Sequence, residues 1–281
     1  MARRLDLHGW DDLPGTAERG PRWALVQGDC LETLDRLPPR SVDLIFADPP
    51  YHLSNGGTTC RSGRRASVDK GAWDRSQGVA EDHAFQRRWL QACRRVLKPS
   101  GTIWVSGTQH VIFSVGYAMQ ELGYHLLNTV TWYKPNAAPN LACRFFTHST
   151  EILLWASPLR ARPLAHRFNY HDMRAANGGK QMRDLWQIAE RPRPGGEQVV
   201  WALPTPGPRE KTLGRHPTQK PLGLLERVMA ASAAAGDLVL DPFCGSGTTG
   251  LAAIRAGCEF LGIECNPEYV QLASGRLRQA G

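Results

Sequence analysis

Val42-Asp43-Leu44-Ile45-Phe46-Ala47-Asp48-Pro49-Pro50-Tyr51 is an apolar run that ends abruptly in a carboxylate, two prolines and an aromatic ring. A run this short, apolar at both odd and even positions, reads as a strand buried on both faces, the pattern of a parallel sheet covered by helices. Proline donates no ladder hydrogen bond and holds φ near −65°, so Pro49 and Pro50 end the strand and leave Asp48 and Tyr51 at its tip. The same arrangement returns downstream, where the run 237–241 leads into Asp241-Pro242-Phe243-Cys244-Gly245-Ser246-Gly247-Thr248. Further runs at 23–27, 101–106, 126–132, 151–156 and 259–264 alternate with stretches of helical periodicity, such as Phe85, Trp89, Cys93 and Val96, or Leu222, Leu225, Met229 and Ala233. Core packing accounts for these stripes. The alternation predicts an α/β fold with a doubly wound, mostly parallel sheet of seven strands.

No compositional break divides the 281 residues, so one domain covering 1–281 is expected. Two stretches lack periodicity: a polar, Gly-rich and basic segment at about 52–80, read as a flexible loop, and an insertion at about 136–208 rich in Pro, Gly and Arg. The formal net charge of +8 suits a polyanionic partner. The seven cysteines form no Cys-x-x-Cys pair and read as reduced, buried thiols, and no metal site is expected. No signal-like apolar segment follows the N-terminal arginines and no apolar run reaches membrane length, so a cytoplasmic protein without membrane contact is expected.

Gly245-x-Gly247-x-x-Gly250, with Glu264 ending the next strand, fits a turn that takes a nucleotide-like cofactor, the carboxylate reaching ribose hydroxyls. The absence of Lys after Gly247 excludes a P-loop. A nicotinamide-dependent oxidoreductase would also use this turn, but would leave residues 48–51 without a role. Those residues speak to different chemistry. The exocyclic amine of adenine or cytosine is a poor nucleophile because its lone pair is drawn into the ring. Asp48 and the Pro49 carbonyl can accept its two N–H bonds and aim the lone pair at an electrophilic methyl group, Pro50 adds rigidity, and Tyr51 offers a ring on which an extruded base can stack. No Pro-Cys dipeptide occurs, which argues against covalent catalysis by a cysteine.

On these two signatures, together with Gly28-Asp29-Cys30, Thr131-Trp132-Tyr133-Lys134-Pro135 and His216-Pro217-Thr218-Gln219-Lys220-Pro221, the chain resembles the DNA amino-methyltransferases of bacterial restriction–modification systems. The resemblance is to the circularly permuted beta arrangement of these S-adenosylmethionine-dependent enzymes, and spans nearly the whole chain. It implies base flipping in duplex DNA and direct methyl transfer to adenine N6, with cytosine N4 as the alternative acceptor. It further implies that Asp29 and Cys30 border the cofactor's adenine, and that Phe243, Cys244, Gly245, Ser246, Gly247 and Thr248 line its methionine and ribose. Glu264 would hold the ribose, His216, Thr218 and Lys220 would close the amino-acid end, and Asp48 and Asp241 would adjoin the cofactor. DNA contacts fall to Arg64, Arg65 and Lys70 in the first irregular segment, to Lys134, Asn136, Asn140 and Arg144 after a strand, and to Arg167, Arg174 and Arg183 in the target-recognition insertion. A solvated basic loop is the plainer reading of these cations. Where many members follow the catalytic tyrosine with Asn, this chain has His52. The implied partners are double-stranded DNA, a second copy of the chain and a cognate restriction endonuclease, and the implied location is the bacterial cytoplasm at the nucleoid.

Overall fold

The computed structural model describes residues 15–54, 58–61, 64–67, 71, 74–137, 139–160, 165–186, 206, 210, 214 and 216–279. The first half of the chain forms β1 (Thr16–Gly20), β2 (Trp23–Gln27), α1 (Cys30–Arg36), β3 (Val42–Ala47), the hairpin strands β4 (Thr58–Arg61) and β5 (Arg64–Ser67), α2 (Val79–Val96), β6 (Leu97–Gly107) and α3 (Ile112–Glu121). The second half forms β7 (His125–Tyr133), β8 (Thr150–Ser157), α4 (Tyr170–Ala176), β9 (Leu185–Trp186), α5 (Leu222–Ser232), β10 (Leu238–Asp241), α6 (Thr248–Arg255), β11 (Glu259–Glu264) and α7 (Pro267–Arg278).

All seven expected strands are present, in a sheet ordered β1-β2-β11-β10-β3-β6-β8-β7-β9. It has nine strands, not seven. β1 adds antiparallel to β2, and the two-residue β9 adds parallel to β7 through Thr131↔Leu185 and Trp132↔Trp186. Neither reads as a strand locally, since β9 has two residues and β1 (Thr16-Ala17-Glu18-Arg19-Gly20) lacks an apolar run. β2 and β3 are consecutive in the chain, yet β11 and β10 from its C-terminal end lie between them, which is the permutation in spatial form. The segment 52–80, expected to be irregular throughout, contains the β4–β5 hairpin, and β8, a sheet strand, runs through the span 136–208. The run expected at 101–106 is longer, and Lys98-Pro99-Ser100-Gly101 belong to it. β6 starts at Leu97 and absorbs these residues in a register irregularity opposite Val42 and Leu44.

Side chains alternate between the two faces of a strand, and each face of β3 has its own core. Ile45 and Ala47 pack with Leu34, Trp89, Val96 and Val115 of α1, α2 and α3. Leu44 and Phe46 pack with Leu225, Val228, Ile254 and Leu277 of α5, α6 and α7. The buried indole of Trp104 stacks on Trp155 at 5.0 Å between ring centroids and donates to Ser232 Oγ at 3.0 Å. The turn into α7 follows its sequence, with Asn266 Oδ1 accepting the Glu268 N–H ahead of Pro267 at the first helical position. No helix among the described residues is long and apolar enough to cross a membrane. Cys30, Cys93, Cys244 and Cys258 are buried and free, whereas Cys143 and Cys265 are exposed.

Gly250 of α6 leaves no room for a side chain, because a Cβ there would meet the Phe260 ring at 2.6 Å and Leu277 at 2.7 Å. Helix propensity alone would make Gly250→Ala stabilising by about 0.8–1.0 kcal/mol, but overpacking costs about 1–3 kcal/mol. The variant is expected to unfold at lower denaturant concentration than the wild type, with an unchanged slope.

Candidate active site

Seven of the nine strands point the same way, since only β1 and β8 run against the rest. Gln27, Ala47, Gly107, Tyr133, Asp241 and Glu264 therefore reach one edge of the sheet, the edge at which doubly wound folds bind ligands. A cavity of about 260 Å³ opens there. Asp29 and Cys30 line it from beyond β2, Asp48 through Tyr51 from beyond β3, Phe243 and Gly245 from the glycine turn, and Glu264 from the end of β11, with His216 and Thr218 closing one side. Asp48 and His216 also border a smaller adjoining recess with Lys220, Asp241, Cys244, Ser246 and Thr248. Of the predicted cofactor set, only Gly247 lines neither space. It sits at φ +74° as the N-cap of α6, where a Cβ would lie 2.9 Å from that of Ala273.

The glycine turn is held by charges beneath it. Glu264 accepts the Gly245 N–H on Oε2 and the Asn266 N–H on Oε1, each at 2.8 Å. Arg276 of α7, which the sequence reading missed, donates from Nη1 to the Ser246 carbonyl at 2.5 Å and to Thr248 Oγ1 at 3.0 Å. Asp241 accepts the Phe243 N–H at 3.0 Å and the Thr249 hydroxyl at 2.5 Å, but burial outweighs both bonds and pushes its carboxyl up to about 7. Phe243 stands edge-on to Trp89 at 5.4 Å and beside Phe85 at 6.3 Å, so two rings face the cavity on a fixed base. Asp29 caps α1, its Oδ1 accepting the Leu31 and Glu32 N–H groups. Burial raises the Cys30 thiol to about 12, which leaves it a wall rather than a nucleophile.

Asp48 is gripped on both oxygens. Tyr51 donates its hydroxyl to Oδ1 at 2.6 Å, and Lys220 Nζ lies 2.5 Å from Oδ2. Glu151 of β8 stands 3.6 Å from Lys220 and 3.4 Å from the Tyr51 hydroxyl, and Lys134 bonds the other oxygen of Glu151 at 2.8 Å. Burial works against each charge, but the pairing wins, so Glu151 is held below and Lys220 above its ordinary value. Burial, then the neighbouring Asp48 and Glu151 charges, keeps Tyr51 protonated. Lys220 was expected on the cofactor's amino-acid end and Lys134 on DNA, yet both ammonium groups are committed to this buried cluster. Tyr51 is itself only 5% exposed, and its hydroxyl rather than an open ring face meets Asp48 and Ser106.

Asp74 was also missed. Fully buried, it accepts the N–H groups of Tyr51, His52 and Leu53 at 3.0, 2.8 and 3.0 Å and the Ser54 hydroxyl at 2.9 Å, tying down the chain as it leaves the tetrapeptide. Its one local signal is that Asp69 and Asp74 are the acids in an otherwise basic segment. His52 takes φ +58°, a left-handed conformation in which Asn and His are among the better tolerated side chains, so His substitutes there for the more usual Asn on backbone grounds.

The expected DNA residues are scattered. Arg167 pairs with Asp237 at 3.3 Å and its N–H bonds the Ser100 carbonyl, which puts it at the start of β10 and β6, the edge away from Asp48. Arg174 donates to the Gly179 carbonyl at 2.6 Å, and Arg183 borders a small aromatic cavity under the sheet. Asn140 bonds within its own loop, whereas Asn136 and Arg144 are exposed. Arg64 and Arg65 lie on β5, and Lys70 lies outside the described residues.

A family model described as DNA methylase matches residues 42–275. The Type II methyltransferase M2.LlaDCHI of Lactococcus lactis subsp. cremoris is 47% identical over 255 residues, 91% of this chain and 89% of that protein. M2.DpnII of Streptococcus pneumoniae, likewise a Type II methyltransferase, is 47% identical over 253 residues, 90% of this chain and 88% of that one. The crystal structure of the M1.HpyAVI–SAM complex matches with a TM-score of 0.60 at 25% identity, over 91% of this chain and 98% of that one. These matches identify an S-adenosylmethionine-dependent DNA methyltransferase. The chain belongs to the DNA methylase family that acts on N6 and N4 amino groups, and this membership replaces the oxidoreductase reading of the glycine turn.

Because the folded state holds a proton on Asp241 up to about pH 7 and the unfolded state releases it near 3.8, Asp241 contributes stability in acid that is lost as pH rises from about 4 through 7. At about 1.36 kcal/mol per pH unit the loss is on the order of 4 kcal/mol. Asp241→Asn is expected to remove this slope, so that the stability difference between variant and wild type moves in the variant's favour between pH 4 and pH 8 in denaturant titrations.

Proposed function

We propose that the protein methylates adenine N6 within a specific sequence of duplex DNA, and that Asp48 through Tyr51 form the acceptor end of the site. The observation that carries this reading is the position of Asp48, common to the main cavity and its recess and oriented by Tyr51 and Lys220. Each Asp48 oxygen keeps a further lone pair, so the carboxylate can accept one N–H of an extruded adenine while the Pro49 carbonyl accepts the other. Both bonds pull electron density toward nitrogen and turn its lone pair out of the ring plane. The nitrogen must also shed one proton for each methyl gained, and the carboxylate is the group placed to receive it.

The cavity fits S-adenosylmethionine by its chemistry. Asp29 and Glu264 supply carboxylates for hydroxyl groups, and Phe85, Phe243 and Tyr269 supply flat apolar surface. When bound, the cofactor contributes a methyl group made electrophilic by a sulfonium. Adenine is preferred over cytosine because the tetrapeptide opens with Asp and continues into Leu53-Ser54-Asn55-Gly56-Gly57. Two relatives carry the name Type II methyltransferase, which supports a restriction–modification role beside an endonuclease of the same specificity. A homodimer and association with the nucleoid in a bacterial cytoplasm belong to the same reading.

Modification-sensitive single-molecule sequencing of DNA from a host expressing the chain is expected to show N6-methyladenine at one short recurrent sequence. N4-methylcytosine there would transfer the acceptor to cytosine, and the absence of both marks would defeat the proposal. Asp48→Ala is expected to lower turnover by two to three orders of magnitude, about 2.7–4 kcal/mol. Cofactor affinity in calorimetry should stay near wild type, because Asp29, Phe243 and Glu264, which line the part of the cavity read as the cofactor's, are untouched.

A further inference from the structure

The chain between β7 and β8 leaves the sheet at the same edge as Asp48 and returns to its starting point, the Lys134 N–H bonding the Ser149 carbonyl at 2.7 Å. A compact surface loop with joined ends is a frequent carrier of function. This one is held in shape at its tip. Asn140 donates from Nδ2 to the Phe145 carbonyl at 2.6 Å and accepts the Ala142 N–H on Oδ1 at 3.0 Å, and Cys143 takes φ +52° between them. The Phe145 ring lies against His148 at 5.2 Å. The shape so stabilised puts apolar groups in water: Phe146 is 96% exposed, Phe145 58% and Leu141 46%.

An exposed Phe at the end of a braced loop gains nothing from the fold, so its use lies in what approaches it. Charge identifies the partner. No acidic residue occurs between Lys134 and Glu151, and exposed Arg144 adjoins the two rings. Position identifies the task. Phe146 is five residues from Glu151, at most about 18 Å of extended chain, and Glu151 touches the Lys220 that holds Asp48. Extruding a base leaves a gap in the stack, and apolar side chains inserted between base steps are a frequent means of opening and holding one.

We propose that Phe146, supported by Phe145 and Arg144, is a wedge that enters the DNA stack where the target base departs. This rests on the DNA-methylating reading of the site. The ring acts on the helix and touches neither cofactor nor reacting atoms, so it contributes only where a stacked, paired base has to be displaced.

The test compares the full-length wild type with Phe146→Ala and Phe146→Trp on three oligonucleotides carrying the sequence methylated in the expression host. One is fully paired, one places an abasic site opposite the target, and one is single-stranded. Phe146→Ala is expected to lower kcat/KM by roughly 10- to 100-fold on the paired duplex and by less than about threefold on the other two, while Phe146→Trp keeps most of the paired-duplex activity. Calorimetry should return wild-type cofactor affinity for both variants, as befits a side chain outside the core. An equal loss on all three substrates would make Phe146 a general binding contact and overturn the wedge, as would no loss on the paired duplex. If the unaltered protein methylates none of the three, the methylating reading itself fails, and the wedge with it.

Discussion

The bond between Lys220 and Asp48 is the constraint around which the site is built. An ammonium and a carboxylate 2.5 Å apart and largely out of water are tolerable only if the remaining charges balance, and Glu151 and Lys134 supply that balance. Two positive and two negative charges, with the Tyr51 and Ser106 hydroxyls between them, form a cluster of zero net charge. Removing one member of such a cluster would leave an odd buried charge, which costs about 3–5 kcal/mol. The cluster therefore fixes the carboxylate's orientation by a penalty on every alternative, and it does so before any substrate arrives.

That constraint needs a stiff frame, and the frame comes from strands that meet there from distant parts of the chain. β3 carries Asp48, β6 carries Ser106 and β8 carries Glu151, and the pairings β3–β6 and β6–β8 put these three tips side by side. The loop beyond the tetrapeptide would otherwise be free to drift. Asp74 converts it into part of the frame by accepting three successive N–H groups, and this lets His52 keep a left-handed backbone. On the cofactor side Glu264 and Arg276 do the corresponding work for the glycine turn. In both places the charged side chains nearest the chemistry hold backbone in place, and preorganisation of this kind lowers the reorganisation needed at the moment of reaction.

The sheet's polarity sorts the basic residues. Arg167, tied to Asp237, belongs to the edge opposite Asp48, and Lys134 is spent inside the site. Net positive charge marks a protein that meets a polyanion, but only placement separates a cation that meets DNA from one that neutralises an internal acid.

The strands at 23–27, 42–47, 101–106 and 259–264, the alternation with helices and the two glycine- and proline-marked tips were legible in the sequence, because strand and helix formation answer to local periodicity and to the backbone limits of Gly and Pro. The glycine turn and the tetrapeptide at the tip of β3 were legible as segments for the same reason, each being short and marked by its own residue types. The partners were not. Lys220 lies 172 residues from Asp48, Glu151 lies 100 from Tyr51, and Asp74 and Arg276 sit in stretches with no signature of their own. A buried charge chooses its counter-charge by distance in space, and distance in space was decided by strand order, with β11 and β10 placed between β2 and β3, and β8 placed between β6 and β7.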